Sequence, residues 1–227
     1  MRLPRSIQTY GPTALLLNWE QDIDPAISAG VHAYARVLRE VTGVLECVPA
    51  YASLLVCFNP AEMRVDQLRD HCYDLRPPVS DSIGELLHEL PVCYDGPELV
   101  TAAKVLQLRP ADIVELHTGR EYLVYQLGFR PGFAFLGQTD ARLDISRLAT
   151  PRASVPAGSV GLAGRQTGVY PSPSPGGWQL IGRCPLPLLR PADDFARLHA
   201  GDQVRFRAIE QKEYDHLLKN PSPWPER

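Results

Sequence analysis

A chain of 227 residues with a net charge of −3, 44% hydrophobic and 22% charged, can bury one large core or two small ones and has the composition of an ordinary soluble globular protein. The slight acidic excess argues against nucleic acid or an anionic membrane surface as a partner, since both need a basic patch. The longest apolar run near the start, residues 14–17, is too short for a signal or spanning segment, and five scattered cysteines without a C-x-x-C pair suit reduced thiols in the cytoplasm.

The first elements predicted are strands over residues 6–10 and 14–19, separated by Gly11-Pro12. A helix follows with Asp24 as N-cap, Pro25 at its first position and Gly43 beyond its end; Ile23, Ile27, Val31, Tyr34, Leu38 and Val41 give it one apolar face. Strands over 44–48 and 54–58 precede a second helix, which begins near Asn59-Pro60 and stops at Pro77-Pro78. The order ββαββα suits an antiparallel sheet with helices on one face. The polar, proline-rich residues 76–83 read as a linker, so residues 1–80 are expected to form an N-terminal α/β domain and 81–227 a second domain.

Beyond the linker, a strand over 90–94 leads to short helices over 97–107 and 110–117, then a strand over 120–129. The two helices have the look of a helix-turn-helix, but the second offers Asp112, Glu115 and His117 rather than base-reading or basic side chains. Strands over 178–183 and 204–209 and a helix over 211–219 complete the reading, with a tail over 220–227. Of 17 glycines and 22 prolines, seven and eight fall within residues 150–191. That stretch cannot be a long helix, and its interleaved Val, Leu, Tyr and Trp predict short ordered strands of a barrel or sandwich.

Several chemistries lack their motifs. There is no G-x-x-x-x-G-K-[ST] loop for a nucleotide, no G-x-S-x-G elbow and no H-E-x-x-H, so no metal site is expected. The dense segments that remain are GFRPGFAFLG (128–137) and TPRASVPAGSVGLAGRQTGVYPSPSPGGWQLIGRCP (150–185). Glycine-rich turns let backbone N–H groups approach an anion, and arginine supplies a planar donor fork. Corner-making by glycine and proline explains the same composition, and composition alone favours it.

These two segments, with IVELHTG upstream and VPAYASLLVCFNP (48–60), resemble the family that comprises the B subunit of 5-oxoprolinase, KipI and allophanate hydrolase subunit 1, over roughly residues 5–210. The resemblance implies an α+β chain, an N-terminal ββαββα sandwich followed by a cyclophilin-like β-barrel. It implies partners, the C subunit (the KipA or allophanate hydrolase subunit 2 type) and the A subunit of the same enzyme, and ATP with Mg bound by the assembled complex. The implied activity is ATP-dependent opening of 5-oxo-L-proline to L-glutamate, with this chain inactive alone. By motif position it implies His117, Arg152 and Arg183 as catalytic residues, and Gln166, Tyr170, Ser174, Pro175, Gly176, Gly177 and Trp178 as substrate-binding residues. Phe135, Cys184 and Leu189-Arg190 depart from the family pattern. The same motifs also fit a KipI-type inhibitor of a sensor histidine kinase, a protein-binding role without chemistry.

Overall fold

Gly11, at φ +71°, turns the chain between antiparallel strands β1 (Ser6–Thr9) and β2 (Ala14–Asn18) of the computed structural model, which describes residues 2–78, 86–190, 195–221 and 223. Helix α1 (Pro25–Leu38) begins as the sequence predicts, with the Asp24 carboxylate accepting the Ala26 N–H at 2.6 Å. It ends at Leu38, short of Val41, and Gly43 at φ +90° turns the chain into β3 (Val44–Pro49). Strand β4 (Ser53–Phe58) follows, and then a turn in which Asn59 caps Ala61. Helix α2 (Val65–Asp74) therefore starts five residues later than Asn59-Pro60 suggested. The sheet order is β1-β2-β4-β3, all antiparallel. Ile27, Val31, Tyr34 and Leu38 bury the face of α1 against Leu15, Leu17, Leu54 and Val56.

The chain divides into two compact units, Met1–Ile83 and Gly84–Arg227. From residue 79 onward the predicted linker lies outside the described residues, as does the predicted tail except for residues 220, 221 and 223.

The second unit opens with β5 (Leu87–Val92), α3 (Leu99–Leu106), α4 (Pro110–Thr118), β6 (Glu121–Leu127) and β7 (Ala134–Gly137). The glycine- and proline-rich stretch resolves into β8 (Arg152–Val155), β9 (Ser159–Ala163), β10 (Gln166–Val169), β11 (Ser174–Gly176) and β12 (Gln179–Arg183). A two-residue pair, β13 (Leu189–Arg190) and β14 (Phe195–Ala196), then leads to β15 (Gln203–Ala208) and α5 (Gln211–Lys219). Seven strands form one sheet in the order β12-β9-β10-β7-β6-β15-β5, antiparallel except for the β15–β5 pair.

The two outer strands of that sheet meet. Cys93 and Arg183 exchange backbone hydrogen bonds of 2.9 and 2.8 Å, which nearly closes the sheet into a barrel. The crossing requires glycine: a Cβ on Gly182 would sit 2.7 Å from the Cys93 carbonyl oxygen. Inside lie Val92, Tyr122, Leu136, Leu162, Ile181 and Phe206, none more than 1% exposed. This is the expected α+β architecture.

Candidate functional site

A second apolar cluster lies apart from the barrel interior. Phe133, Val155, Ala163, Tyr170, Trp178 and Leu180 pack together, with Phe135 at their margin. Strand alternation separates the two clusters. On β10, Thr167 and Val169 are buried inward, whereas Gly168 faces Phe133 and Trp178 on the other side. A Cβ on Gly168 would lie 3.2 Å from the Phe133 ring and 3.3 Å from the Trp178 ring, so the aromatic residues rest directly on the strand backbone.

This outer cluster forms the floor of a cleft of about 260 Å³. Phe129, Phe133 and Phe135 come from the 128–137 segment, and Pro151, Tyr170, Pro175, Gly176, Gly177 and Trp178 from the second motif; Arg147 completes the wall. The rings meet edge to face, with Phe133 5.2 Å from Tyr170 and 5.5 Å from Trp178 between centroids. Phe129 stands at the rim, 60% exposed and in left-handed backbone at φ +68°. For a bulky residue that conformation costs about 1–2 kcal/mol. The antiparallel β8–β11 pair covers Tyr170: a side chain on Gly176 would come within 2.9 Å of the tyrosine ring. Burial raises the Tyr170 pKa, so its hydroxyl stays protonated.

Of the residues singled out from the sequence, Tyr170, Pro175, Gly176, Gly177 and Trp178 are brought together here. Ser174 is adjacent but buried at 3%, its hydroxyl without a hydrogen-bond partner among the described residues. Gln166 lies on the outward face of β10, half-buried, and does not line the cleft.

His117, Arg152 and Arg183 are placed elsewhere, each for a physical reason. His117 is wholly buried, stacked on Phe206 at 4.3 Å between ring centroids. Its Nε2 lies 2.8 Å from Thr167 Oγ1, which donates its own proton to the Gly161 carbonyl at 3.1 Å. Thr167 therefore accepts from Nε2–H, and Nδ1 is left to accept the Tyr94 hydroxyl at 2.6 Å. Burial pushes the His117 pKa down to about 3, so near neutrality the ring stays neutral, with its one proton held on Nε2 by Thr167.

Arg152 is ion-paired with Glu98 and donates to the Trp178 carbonyl at 3.0 Å. Glu98 in turn accepts the Leu180 N–H at 2.9 Å. This network ties β8 and the start of α3 to the strand behind Trp178. Arg183 is held at the barrel seam, where Asp95 pairs with it, Gln211 accepts from it at 2.9 Å and the Tyr214 ring lies 4.4 Å below it. The Asp95 carboxylate raises its pKa further. Both guanidinium groups are already neutralised by the protein's own carboxylates.

Arg147 was not singled out by the sequence. It sits just ahead of the glycine- and proline-rich motif, in a stretch that carries no motif of its own. Its guanidinium lies over the Trp178 ring at 6.0 Å.

Residues 5–198 match the family described as carboxyltransferase domain, subdomain C and D. The chain is 39% identical over 240 residues to the B subunit of 5-oxoprolinase from Bacillus subtilis (strain 168), covering 98% of this chain and 100% of that protein. It is 38% identical over 214 residues to the protein of the same name in Escherichia coli O157:H7, covering 89% of this chain and 94% of that one. The chain belongs to the family of 5-oxoprolinase B subunits.

Among solved structures, this family member is similar to TTHA0988, with a TM-score of 0.78 and 33% identity. The match covers 94% of this chain but only 41% of that one. The conserved uncharacterized protein PH0987 from Pyrococcus horikoshii is 37% identical, with a TM-score of 0.56 over 92% of this chain and 100% of that one. The Kluyveromyces lactis urea carboxylase shares the fold at a TM-score of 0.74 and 17% identity over 94% of this chain and 22% of its own. Among the described residues no helix is long and apolar enough to cross a membrane.

Proposed function

We propose that this chain is the B subunit of an ATP-dependent 5-oxoprolinase, acting with the A and C subunits to open 5-oxo-L-proline to L-glutamate, and that it does not turn over alone. The observation that carries the proposal is the similarity to the B. subtilis 5-oxoprolinase protein across that protein's whole length. The cleft supports it. Its apolar, aromatic walls suit a small saturated ring, and the one cation among its described lining residues suits a carboxylate.

A lactam carbonyl is a poor electrophile, and phosphorylation of its oxygen makes it reactive; that is the chemical use of ATP in such a reaction. Among the described residues the cleft presents a single guanidinium and no cradle of phosphate donors, so we assign ATP and Mg to the assembled complex and derive no nucleotide contact on this chain. Within the substrate site we place Tyr170 and Trp178 as walls and the Pro175–Gly177 backbone as the rim. Ser174 adjoins that rim, and Gln166, at the start of β10, lies outside the substrate site. His117, Arg152 and Arg183 we read as the frame that fixes these strands. We place the protein in the cytoplasm, where ATP is available and its free cysteines stay reduced.

The test is to mix the purified chain with the A and C subunits and follow phosphate release from ATP. Release should depend on 5-oxo-L-proline and should require all three proteins. Release that is indifferent to 5-oxo-L-proline, or undiminished when this chain is left out, contradicts the proposal.

A further inference from the structure

Arg147 is the only charged side chain among the described residues that line the aromatic cleft. No carboxylate pairs with it among the described residues, in contrast to Arg142, Arg152 and Arg183, which hold Asp140, Glu98 and Asp95. An unpaired cation at the mouth of an apolar cleft leaves its charge available to a ligand.

The segment that carries it is fixed on both sides. The Gln179 side-chain amide donates to the Ser146 carbonyl at 2.9 Å, and the Leu148 N–H donates to the Gly177 carbonyl at 2.7 Å. One residue further back, the Ile145 carbonyl accepts the Gly164 N–H at 2.6 Å. The backbone on either side of Arg147 is therefore held to β12 and to the Gly176-Gly177 rim. With the guanidinium laid over Trp178, less rotamer entropy is left to lose when an anion binds.

We infer that Arg147 is the carboxylate anchor of this cleft: the guanidinium takes the acid group of a small cyclic carboxylic acid while the ring of that ligand rests against Trp178 and Phe133. Gln179 is the positioning residue that presents it. The identity of the acid as 5-oxo-L-proline rests on the functional reading above; the requirement for a carboxylate rests on the cleft alone. A larger anion such as a nucleotide would need several phosphate donors, and an apolar segment of a partner would leave the charge of Arg147 buried without compensation.

The experiment uses the assembled three-protein complex with the native chain, Arg147→Ala, Arg147→Lys and, as an exposed control outside the cleft, Arg142→Ala. Arg147→Ala should raise the KM for 5-oxo-L-proline about tenfold or more, the loss expected of one charge-assisted hydrogen bond. It should leave kcat at saturation within about twofold, because the anchor acts on ground and transition states alike. The KM for ATP should not move, Arg147→Lys should fall between, and Arg142→Ala should match the native chain. In parallel, ligand-observed NMR compares binding of 5-oxo-L-proline, L-proline and 2-pyrrolidinone, the last being the same lactam without its acid group. The two acids should show binding that Arg147→Ala removes, and 2-pyrrolidinone should bind weakly and equally to both proteins. An unchanged KM, or 2-pyrrolidinone bound as tightly as the acid, overturns the anchor while leaving the 5-oxoprolinase reading intact. If the native complex shows no 5-oxoproline-dependent ATP hydrolysis, that reading fails. The NMR comparison then decides the anchor alone: Arg147-dependent binding of a cyclic acid supports it, and no such binding overturns it.

Discussion

His117 shows how burial changes the role of a residue. Between Phe206, Tyr94 and Thr167 it can be accommodated only as the neutral Nε2–H tautomer. Its pKa near 3 in the folded chain lies below the value of about 6.5 expected when unfolded, so between those pH values the unfolded state binds the additional proton. Stability from this group is complete above pH 6.5 and is lost as pH falls toward 3, at up to about 1.4 kcal/mol per pH unit. Urea denaturation across that range should show the slope, and His117→Gln should flatten it while lowering stability at neutral pH by about 1–3 kcal/mol. A parent chain with no slope in this window contradicts the burial argument. Arg152 makes a related case. Lysine keeps the charge but cannot serve Glu98 and the Trp178 carbonyl together, so Arg152→Lys should cost about 1–2 kcal/mol in thermal or chemical melts. Melts indistinguishable from the parent would remove Arg152 from the frame. The sequence marked these residues as special because they sit in a dense motif. It could not show that their partners, Tyr94, Glu98 and Asp95, return from a segment far upstream. Arg147, outside the glycine- and proline-rich stretch, gave no local signal at all.

Capping and periodicity made the helices legible, whereas within the glycine- and proline-rich stretch glycine left only β12 of the strands β8 to β12 placed from the sequence. Asp24-Pro25 marks the start of α1, and Gln211–Lys219 is the final helix as read from the sequence. Strands β8 to β12 are only three to five residues long, and their glycines reflect close crossings rather than loops. The parallel pairing of β5 with β15 links residues more than a hundred positions apart and leaves no local trace. Two adjacent glycines of β11 and its rim separate close approach from mere turn-making. A Cβ on Gly176 would press to 2.9 Å from the Tyr170 ring, whereas on Gly177 it would meet nothing nearer than 3.6 Å. Gly176→Ala should therefore lower the melting temperature by several degrees, a cost of about 1–3 kcal/mol from overpacking, while Gly177→Ala should melt like the parent. The reverse order would mean that Tyr170 does not pack under the β8–β11 pair.

For the whole molecule, the division into Met1–Ile83 and Gly84–Arg227 gives each unit its own apolar core. We propose that the two are separable domains. Limited proteolysis should then cut within the proline-rich residues 76–83 and leave a stable C-terminal fragment, and resistance throughout that segment would count against separability. We propose that the cleft on the outer face of the barrel takes 5-oxo-L-proline within a hydrolase of several proteins. Gly177 offers a direct way to test it, because it lies on the cleft wall and a Cβ there would make only ordinary contacts, at 3.6 Å or more from Leu148 and Pro151, so Gly177→Leu should fill the cleft without unfolding the barrel. The decisive measurement is L-glutamate release from 5-oxo-L-proline and ATP by the A and C subunits together with either the native chain or Gly177→Leu. Release is expected with the native chain and is expected to be lost with an equally folded, equally assembled Gly177→Leu chain. No release with the native chain, or equal release with both, would contradict it.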